Sequence, residues 1–209
     1  MLKILFFALI VRPFLLFIAG IKLIGQNYLP LDKPCILAAN HNSHLDTLVL
    51  MNLYPFKKLK YIRPVAAADY FLKNKWIAWF SLKVLGIIPL DRTSTLDRGE
   101  RLMGVENALK SGYSIILFPE GSRATNGEMA PFKSGIAYLA RDFPHIPVIP
   151  IYMHGTGKVL PKGEKLLVPF GMEVNIGKPI YYTAESTKQT FMNELESSIR
   201  SLQKSLLST

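Results

Sequence analysis

The sequence has a single cysteine, few acidic residues and no long uncharged hydrophobic run. The lone Cys35 excludes an intramolecular disulfide and a cysteine-based zinc cluster. Only 15 Asp and Glu residues stand against 25 Lys and Arg, and the formal net charge of +10 favours an anionic partner: a phospholipid surface, a phosphorylated substrate or nucleic acid. Because repeats and low-complexity segments are also absent, the 209 residues predict one well-filled core.

Residues 1–25 are overwhelmingly apolar but are interrupted by Lys3, Arg12 and Lys22. No uncharged stretch between these cations approaches the roughly 20 residues that a spanning helix needs. An arginine at the middle of a spanning helix would also cost about 2.5–3.5 kcal/mol. We therefore expect residues 1–25 to form a membrane-anchoring helical segment, as an in-plane or re-entrant pair of short helices. A cleaved signal peptide and a single tilted spanning helix are the alternatives.

In an in-plane arrangement the cations of this segment lie at headgroup level and its large apolar side chains enter the acyl region. Those side chains are Phe6, Phe7, Phe14, Leu15, Leu16 and Phe17. The segment therefore predicts a peripheral or monotopic protein on the cytoplasmic face of the cell membrane.

After Gln26, short apolar runs alternate with longer helical patterns, which predicts a separate domain over residues 26–209. Strands are expected at 35–39, 61–67, 86–90, 113–118, 148–152 and 172–176, and helices at 44–53, 70–85, 95–110, 132–141 and 187–207. This alternation is typical of an α/β fold, a layered and mixed but largely parallel sheet flanked by helices. Such folds gather their sites at the carboxyl ends of strands.

His41 and Asp46 follow the first predicted strand. Within a helix, five residues turn through about 500°, so the two side chains meet only if His41 lies in a turn before the helix. Asn42 and Ser43 are residues that favour such turns and caps. If the pair meets, Asp46 holds the imidazole in one tautomer and leaves its other nitrogen free to take a proton from a hydroxyl.

Two alternatives use the same residues. Ser43 to Asp46 also match a helix capping box, in which Asp46 only closes the helix and His41 is an ordinary polar residue. His41 and His44 could instead be metal ligands, but no third ligand stands at a useful spacing.

A second motif, Phe-Pro-Glu-Gly-Ser-Arg at 118–123, follows another predicted strand. Its proline and glycine predict a tight loop that presents Glu120 and Arg123 together. The guanidinium of Arg123 offers a planar fork to phosphate, and the backbone N–H groups around Gly121 and Ser122 can form an anion nest. The alternative is an ion pair between Glu120 and Arg123 in a surface turn.

Two further cations stand at loop ends. Arg92 follows a predicted strand, where a surface ion pair with Asp91 is the alternative, and Lys133 stands at the start of a predicted helix, whose N-terminus favours an anion. Together with Arg123, these cations predict a phosphate held beside the base. Nucleic acid is not expected, because the sequence has no recognised binding motif and its basic residues lack interleaved aromatics.

Four blocks, taken in order, resemble the glycerolipid acyltransferases of the 1-acylglycerol-3-phosphate (lysophosphatidic acid) acyltransferase type. The blocks are residues 40–46, 86–92, 118–123 and 148–151. The first has its histidine and aspartate separated by four residues, and the first and third are the specific ones. Ser122 stands where many relatives have threonine, a change that keeps the hydroxyl.

The resemblance implies transfer of a fatty acyl group from acyl-CoA or acyl-ACP to the free hydroxyl of 1-acylglycerol 3-phosphate, giving phosphatidic acid in phospholipid biosynthesis. It implies that His41 is the general base and that Asp46 orients it. The implied acceptor-binding residues are Arg92, Glu120, Gly121 and Arg123, to which the residue pattern adds Ser122 and Lys133. The expected partners are the bilayer surface, the lysophospholipid acceptor and the acyl donor, with no metal and no cofactor.

Other functions fit the same motifs. The acceptor could be another lyso-lipid, such as a lyso-ornithine lipid, or glycerol 3-phosphate. A thioesterase or lipid hydrolase would use the same pair of residues with water as the nucleophile, although water needs no phosphate clamp. In a non-catalytic membrane-surface protein, both motifs would be caps and turns only.

Overall fold

A computed structural model describes residues 1–71, 74–91, 97–123, 129–159 and 171–207 of the chain. The strands in these ranges are β1 (Ile21–Ile24), β2 (Ile36–Ala39), β3 (Ile62–Ala67), β4 (Ile88–Leu90), β5 (Ser114–Leu117), β6 (Val148–His154) and β7 (Met172–Ile176). They form one sheet in the order β1-β7-β6-β2-β5-β3-β4. The five strands from β6 to β4 are mutually parallel, β7 is antiparallel to β6, and β1 is parallel to β7.

The α-helices in the described ranges are α1 (Leu2–Phe6), α2 (Arg12–Phe14), α3 (Leu45–Asn52), α4 (Ala68–Phe71), α5 (Lys75–Trp79), α6 (Arg98–Lys110), α7 (Gly135–Asp142), α8 (Thr156–Val159) and α9 (Lys188–Leu207). π-Helical turns join α1 and α2 into one N-terminal helix, residues 2–19. Another π-helical turn, Phe80–Leu85, extends α5 into a helix that we name the Trp helix, residues 75–85.

The sheet has a buried cluster on each face. The N-terminal helix, α3 and the Trp helix cover one face, and α6, α7 and α9 cover the other. All four residues of β2 are buried, with Leu37 and Ala39 in the first cluster and Ile36 and Ala38 in the second. A central parallel strand is buried on both faces, which explains its uninterrupted apolar sequence.

The expected α/β fold with a largely parallel sheet is confirmed. All six predicted strands are present, as are the helices predicted at 44–53, 132–141 and 187–207. The helix expected at 70–85 is divided, since α4 ends at Phe71 and the Trp helix begins at Lys75, with residues 72–73 outside the described ranges. The helix expected from residue 95 is described from Arg98 onward.

The helical prediction for residues 1–25 was wrong at its end, because Ile21–Ile24 form β1. This edge strand pairs with β7, and the ammonium of Lys22 lies 3.1 Å from a carboxylate oxygen of Glu173 on that partner. Four residues are too few for an alternating pattern to stand out in an apolar sequence. The pairing partner about 150 residues away decides the conformation, so this part of the segment belongs to the sheet.

The ammonium group of Lys3 binds the domain and is not directed to lipid headgroups. Its Nζ donates hydrogen bonds to the carbonyl oxygens of Leu59 and Ile62 at 3.3 and 3.0 Å. Burial, followed by the positive charge of Arg63, lowers the pKa of Lys3 to about 8. The expectation of a cation at headgroup level is therefore wrong for Lys3, because backbone carbonyls of the domain take its N–H groups.

Arg12 also binds the domain. Its Nε donates to Oδ1 of Asn52 at 3.1 Å, its Nη2 donates to the carbonyl oxygen of Tyr54 at 3.0 Å, and its guanidinium lies 3.6 Å from the ring centre of Phe56. The arginine that argued against a spanning helix thus fastens the N-terminal helix to the end of α3. The headgroup expectation is wrong for Arg12 as well.

The apolar side chains of the N-terminal helix are divided between two environments. Phe7, Val11 and Leu15 are buried against the sheet, whereas Leu16 and Phe17 are 76% and 87% exposed. Of the side chains expected to enter the acyl region, Phe7 and Leu15 are therefore core residues instead. Within the described ranges, no helix is both long enough and apolar enough to cross a bilayer.

We expect Arg12→Ala to lower the free energy of unfolding by about 1–3 kcal/mol, because it removes two charge-assisted hydrogen bonds and a cation–π contact. Chemical denaturation measures this change. Arg12→Lys is the matched variant, and it should lose less stability because it keeps the charge. Equal stability of Arg12→Ala and the parent chain would show that the N-terminal helix is not fastened through this side chain.

Candidate active site

The two sequence motifs meet at the carboxyl edge of the sheet. β2 and β5 are neighbouring parallel strands, so the loops that follow them leave the sheet side by side. His41 follows β2 and Phe118 follows β5, and their rings are stacked with centres 4.0 Å apart and planes 15° from parallel. The aromatic face fixes the plane of the imidazole and keeps water from that side of it.

Asp46 lies within reach of His41 because the loop folds back over the first turn of α3. Its Oδ2 accepts hydrogen bonds from Nδ1 of His41 at 2.8 Å and from the backbone N–H groups of Asn42 and Ser43 at 2.6 and 2.8 Å. The carboxylate is fully buried, and the imidazole is only slightly exposed. With Nδ1–H donating to the carboxylate, the Nε2 of His41 is left to accept a proton.

The capping alternative describes part of the same loop. Oγ of Ser43 accepts a hydrogen bond from the N–H of Leu45 at 3.3 Å, at the start of α3. The carboxylate of Asp46, however, binds the amides that precede the helix together with the imidazole. Asp46 therefore organises the loop and contacts His41 through one oxygen.

Glu120 connects the loop after β5 to the loop after β2 through backbone hydrogen bonds. It is buried, and its two carboxylate oxygens accept hydrogen bonds from the backbone N–H groups of His41 and Ala130, both at 2.8 Å. Burial raises the pKa of Glu120, while these two hydrogen bonds act in the opposite direction. Glu120 therefore joins the loop after β2, the loop after β5 and the segment that contains Ala130.

Gly121 and Lys133 are in close contact. Gly121 has φ +73°, and a Cβ at this position would come within 2.8 Å of the Lys133 ammonium and the carbon that bears it. Glycine leaves room for the lysine side chain to cross the loop, and the positive φ disfavours any other residue at this position. The backbone N–H of Lys133 also donates to the carbonyl oxygen of Pro119 at 2.8 Å, so the structure joins the two segments that the sequence motif left apart.

The remaining cations of the site lie near the base or outside the described residues. Arg123 and Ser122 line the same cavity as His41 and His44. Burial lowers the pKa of His44, and the nearby positive charge of Arg123 lowers it further. Arg92, the second implied acceptor-binding arginine, lies among residues 92–96, outside the described ranges.

His44 has a hydrogen-bond partner of its own. Its Nε2 lies 3.0 Å from the hydroxyl of Tyr70, at a wall of the cavity. Within the described part of the chain, no three His, Cys, Asp or Glu side chains come together as a metal site. The two histidines of the first motif thus have separate partners, Asp46 for one and Tyr70 for the other.

The loop before His41 is tied to β6 through Asn40. Nδ2 of Asn40 donates to the carbonyl oxygen of Met153 at 2.9 Å, and its Oδ1 accepts from the N–H of the same residue at 2.7 Å. The side chain of Asn40 thus makes the pair of hydrogen bonds to Met153 that the backbone of a neighbouring strand would make, just after β2 ends. Sequence reasoning gave Asn40 no role, although its place at the head of the first block was a signal.

The site opens into a large cavity with a volume of about 650 Å³, within the usual range for small-molecule sites of about 300–1,000 Å³. Polar groups line it where β2 and β5 end, namely His41, Ser122 and Arg123. Elsewhere its walls are mainly apolar and come from α3, β3 and the Trp helix. Sequence reasoning missed this cavity and the stacking role of Phe118, because both depend on elements that are distant along the chain.

The sequence is similar to a known protein family. The sequence model of the Acyltransferase family matches residues 20–154. The chain is 34% identical over 156 residues to 1-acyl-sn-glycerol-3-phosphate acyltransferase BAT2, chloroplastic, of Brassica napus, covering 72% of this chain and 42% of that protein. It is 31% identical over 170 residues to 1-acyl-sn-glycerol-3-phosphate acyltransferase of Saccharomyces cerevisiae, covering 77% and 51%. The chain therefore spans about half the length of these curated relatives.

A solved structure shares the fold. The crystal structure of the 1-acyl-sn-glycerophosphate (LPA) acyltransferase PlsC from Thermotoga maritima superposes with a TM-score of 0.73 at 22% identity, covering 89% of this chain and 72% of that one. The family match spans both motif loops and six of the seven described strands, β1 to β6. On this match, the chain belongs to the Acyltransferase family.

Proposed function

We propose that this chain transfers a fatty acyl group from a thioester to the free hydroxyl of 1-acylglycerol 3-phosphate, giving phosphatidic acid. The observation that carries the proposal is the 2.8 Å contact between His41 and Asp46 at the polar end of a largely apolar cavity. The names of the sequence relatives support the choice of acceptor. The proposed donors are acyl-CoA and acyl-ACP, and the chemistry needs no metal or cofactor.

His41 acts as the general base in the proposed reaction. The hydroxyl oxygen of the acceptor attacks the thioester carbonyl carbon while Nε2 of His41 takes the hydroxyl proton. Asp46 stabilises the imidazolium through Nδ1–H, and Phe118 holds the ring plane. The tetrahedral intermediate then collapses, the C–S bond breaks, and the proton on Nε2 passes to the departing thiolate. The products are the ester and a free thiol.

The phosphate of the acceptor binds at the cationic side of the site. Arg123 and Ser122 line the cavity beside His41, and the Lys133 side chain crosses Gly121 in the same loop. A guanidinium and an ammonium together neutralise a phosphate monoester and leave its glycerol hydroxyl near the base. By resemblance, Arg92 joins this group.

The apolar part of the cavity suits a fatty acyl chain. Side chains such as Leu48, Phe71, Ile77 and Phe80 line it, and they offer hydrocarbon contacts without polar groups. Burying each CH₂ of a chain there stabilises the complex by about 0.8 kcal/mol. Enclosure also keeps water from the thioester, which separates acyl transfer from hydrolysis.

The proposed location is the membrane surface, with the protein peripheral or monotopic on the cytoplasmic face. The outer side of the N-terminal helix supports this location, because Leu9, Leu16 and Phe17 are exposed there. Such a surface fits an interfacial anchor, whose apolar side chains enter the boundary of headgroups and acyl chains.

Removal of the general base should slow acyl transfer strongly. We expect His41→Ala to lower kcat by about 10²–10⁴-fold, the usual contribution of general-base catalysis, with little change in the melting temperature. Because Asp46 also holds two backbone amides, Asp46→Asn should lower kcat and reduce the free energy of unfolding by about 1–3 kcal/mol. Steady-state kinetics and denaturation measure the two effects. Normal turnover in either variant would remove the assignment of this pair as the catalytic residues.

Loss of a phosphate-binding cation should weaken the binding of the acceptor and leave the binding of the acyl donor unchanged. We expect Lys133→Met, which keeps the length of the side chain over Gly121, to raise the KM for lysophosphatidic acid by about tenfold or more while leaving the KM for the thioester unchanged. Arg123→Met should act in the same direction. Lys110→Met, an exposed lysine at the end of α6, is the control. Equal effects on both KM values would contradict phosphate binding.

The acceptor and donor are tested together with purified protein in vesicles. Lysophosphatidic acid, glycerol 3-phosphate and a lyso-ornithine lipid are each paired with acyl-CoA and acyl-ACP, and ester product and free thiol are measured. We expect product with lysophosphatidic acid and little thiol release without an acceptor. Rapid thiol release in the absence of any acceptor would support a thioesterase instead, and preference for another acceptor would replace the proposed substrate.

A further inference from the structure

The Trp helix forms one wall of the cavity. Ile77, Phe80, Ser81 and Leu85 of this helix line the cavity, and Ile77 is also partly exposed. Spacings of three, four and eight residues place such side chains on one face of a helix.

The outer face of this helix carries two exposed tryptophans. Trp76 is 81% exposed, Trp79 is 49% exposed, and Leu82 beside them is exposed as well. None of the three lines the cavity. A patch of large exposed aromatic side chains is typical of a surface that contacts a membrane or another protein. Tryptophan in particular is enriched at the level of lipid headgroups.

The charged residues of the Trp helix have one sign. Lys75 and Lys83 are exposed on the same helix, and the sequence contains no Asp or Glu from residue 70 to residue 90. Cations flanking an apolar aromatic face fit an anionic phospholipid surface, whose phosphates pair with the ammonium groups.

The Trp helix lies next to the N-terminal helix. The ring of Phe6 packs edge-on against that of Phe80, with centres 5.0 Å apart. The side chains of Leu2, Leu5 and Leu9 on the N-terminal helix are exposed. Both helices cover the same face of the sheet, so their outer sides can contact one surface.

We propose that the Trp helix is a second bilayer-contacting element, with Trp76 and Trp79 at the boundary of headgroups and acyl chains and with Lys75 and Lys83 on the phosphates of anionic lipids. In this position the cavity behind the helix adjoins the acyl region from which a lipid substrate arrives. The proposal rests on the proposed function only for the statement that the substrate is a lipid. The contact with the bilayer stands or falls separately.

Intrinsic fluorescence tests the contact directly, because Trp76 and Trp79 are the only tryptophans of the chain. Vesicles containing phosphatidylglycerol should shift the emission to shorter wavelength, and brominated acyl chains should quench it. Vesicles of phosphatidylcholine alone should have a smaller effect. Trp76→Phe and Trp79→Phe, each with one tryptophan left, report the two positions separately. Cosedimentation with vesicles without any shift or quenching would overturn the proposal.

A binding experiment gives the second readout. Trp76→Ser/Trp79→Ser should reduce partition onto vesicles containing phosphatidylglycerol by about tenfold or more, whereas Met103→Ser, an exposed apolar position on α6 across the sheet, should not. Far-ultraviolet circular dichroism checks that both variants fold. Unchanged partition of the double variant, or a dimer that buries the tryptophans without lipid, would contradict bilayer contact.

Measurements of acyl transfer distinguish failure of the bilayer contact from failure of the proposed function. With a short-chain, water-soluble lysophosphatidic acid, the double variant should keep the turnover of the parent chain, because neither tryptophan lines the cavity. With long-chain acceptor in vesicles it should be slower. If the parent chain transfers no acyl group but its emission still shifts on vesicles, the proposed function fails and the membrane contact stands. Loss of turnover with the soluble acceptor would instead assign the tryptophans to the cavity and overturn the proposal.

Discussion

The buried carboxylate of Asp46 holds the loop on which the site depends. One of its oxygens accepts from the imidazole of His41 and from the backbone amides of Asn42 and Ser43. These three donors stabilise the buried Oδ2 in its charged form, so the conformation of the loop and the charge of Asp46 are coupled. The same contacts choose the tautomer that leaves Nε2 of His41 as an acceptor. Helix capping and orientation of the base are therefore two consequences of one arrangement.

The second motif is connected to the first by backbone contacts. Glu120 joins the amides of His41 and Ala130, and Lys133 joins Pro119 while crossing Gly121. The loop after β5, the loop after β2 and the segment before α7 thus form one unit. Arg123, Lys133 and His41 all belong to this unit, so backbone contacts hold the segments that carry them together.

Apolar residues near the N-terminus serve both the core and the surface. The inner side of the N-terminal helix completes a buried cluster, and Lys3 and Arg12 fasten it through carbonyl and amide oxygens. Its outer side, like that of the Trp helix, remains apolar. A cation in an apolar segment therefore does not by itself indicate headgroup contact, since backbone acceptors of the same chain can satisfy it.

The sequence by itself determined the α/β fold, six of the seven described strands, and the placing of His41 after one strand and of Glu120 and Arg123 after another. These features depend on local periodicity and on motif spacing, which a sequence displays directly. Tertiary structure alone decided that β1 is a strand, that Lys3 and Arg12 bind the domain, and that Glu120 clamps loops. It also decided the stacking of Phe118 and the cavity behind the Trp helix. Each of these depends on a partner many residues away, and no local pattern records which distant backbone group or ring will lie within contact distance.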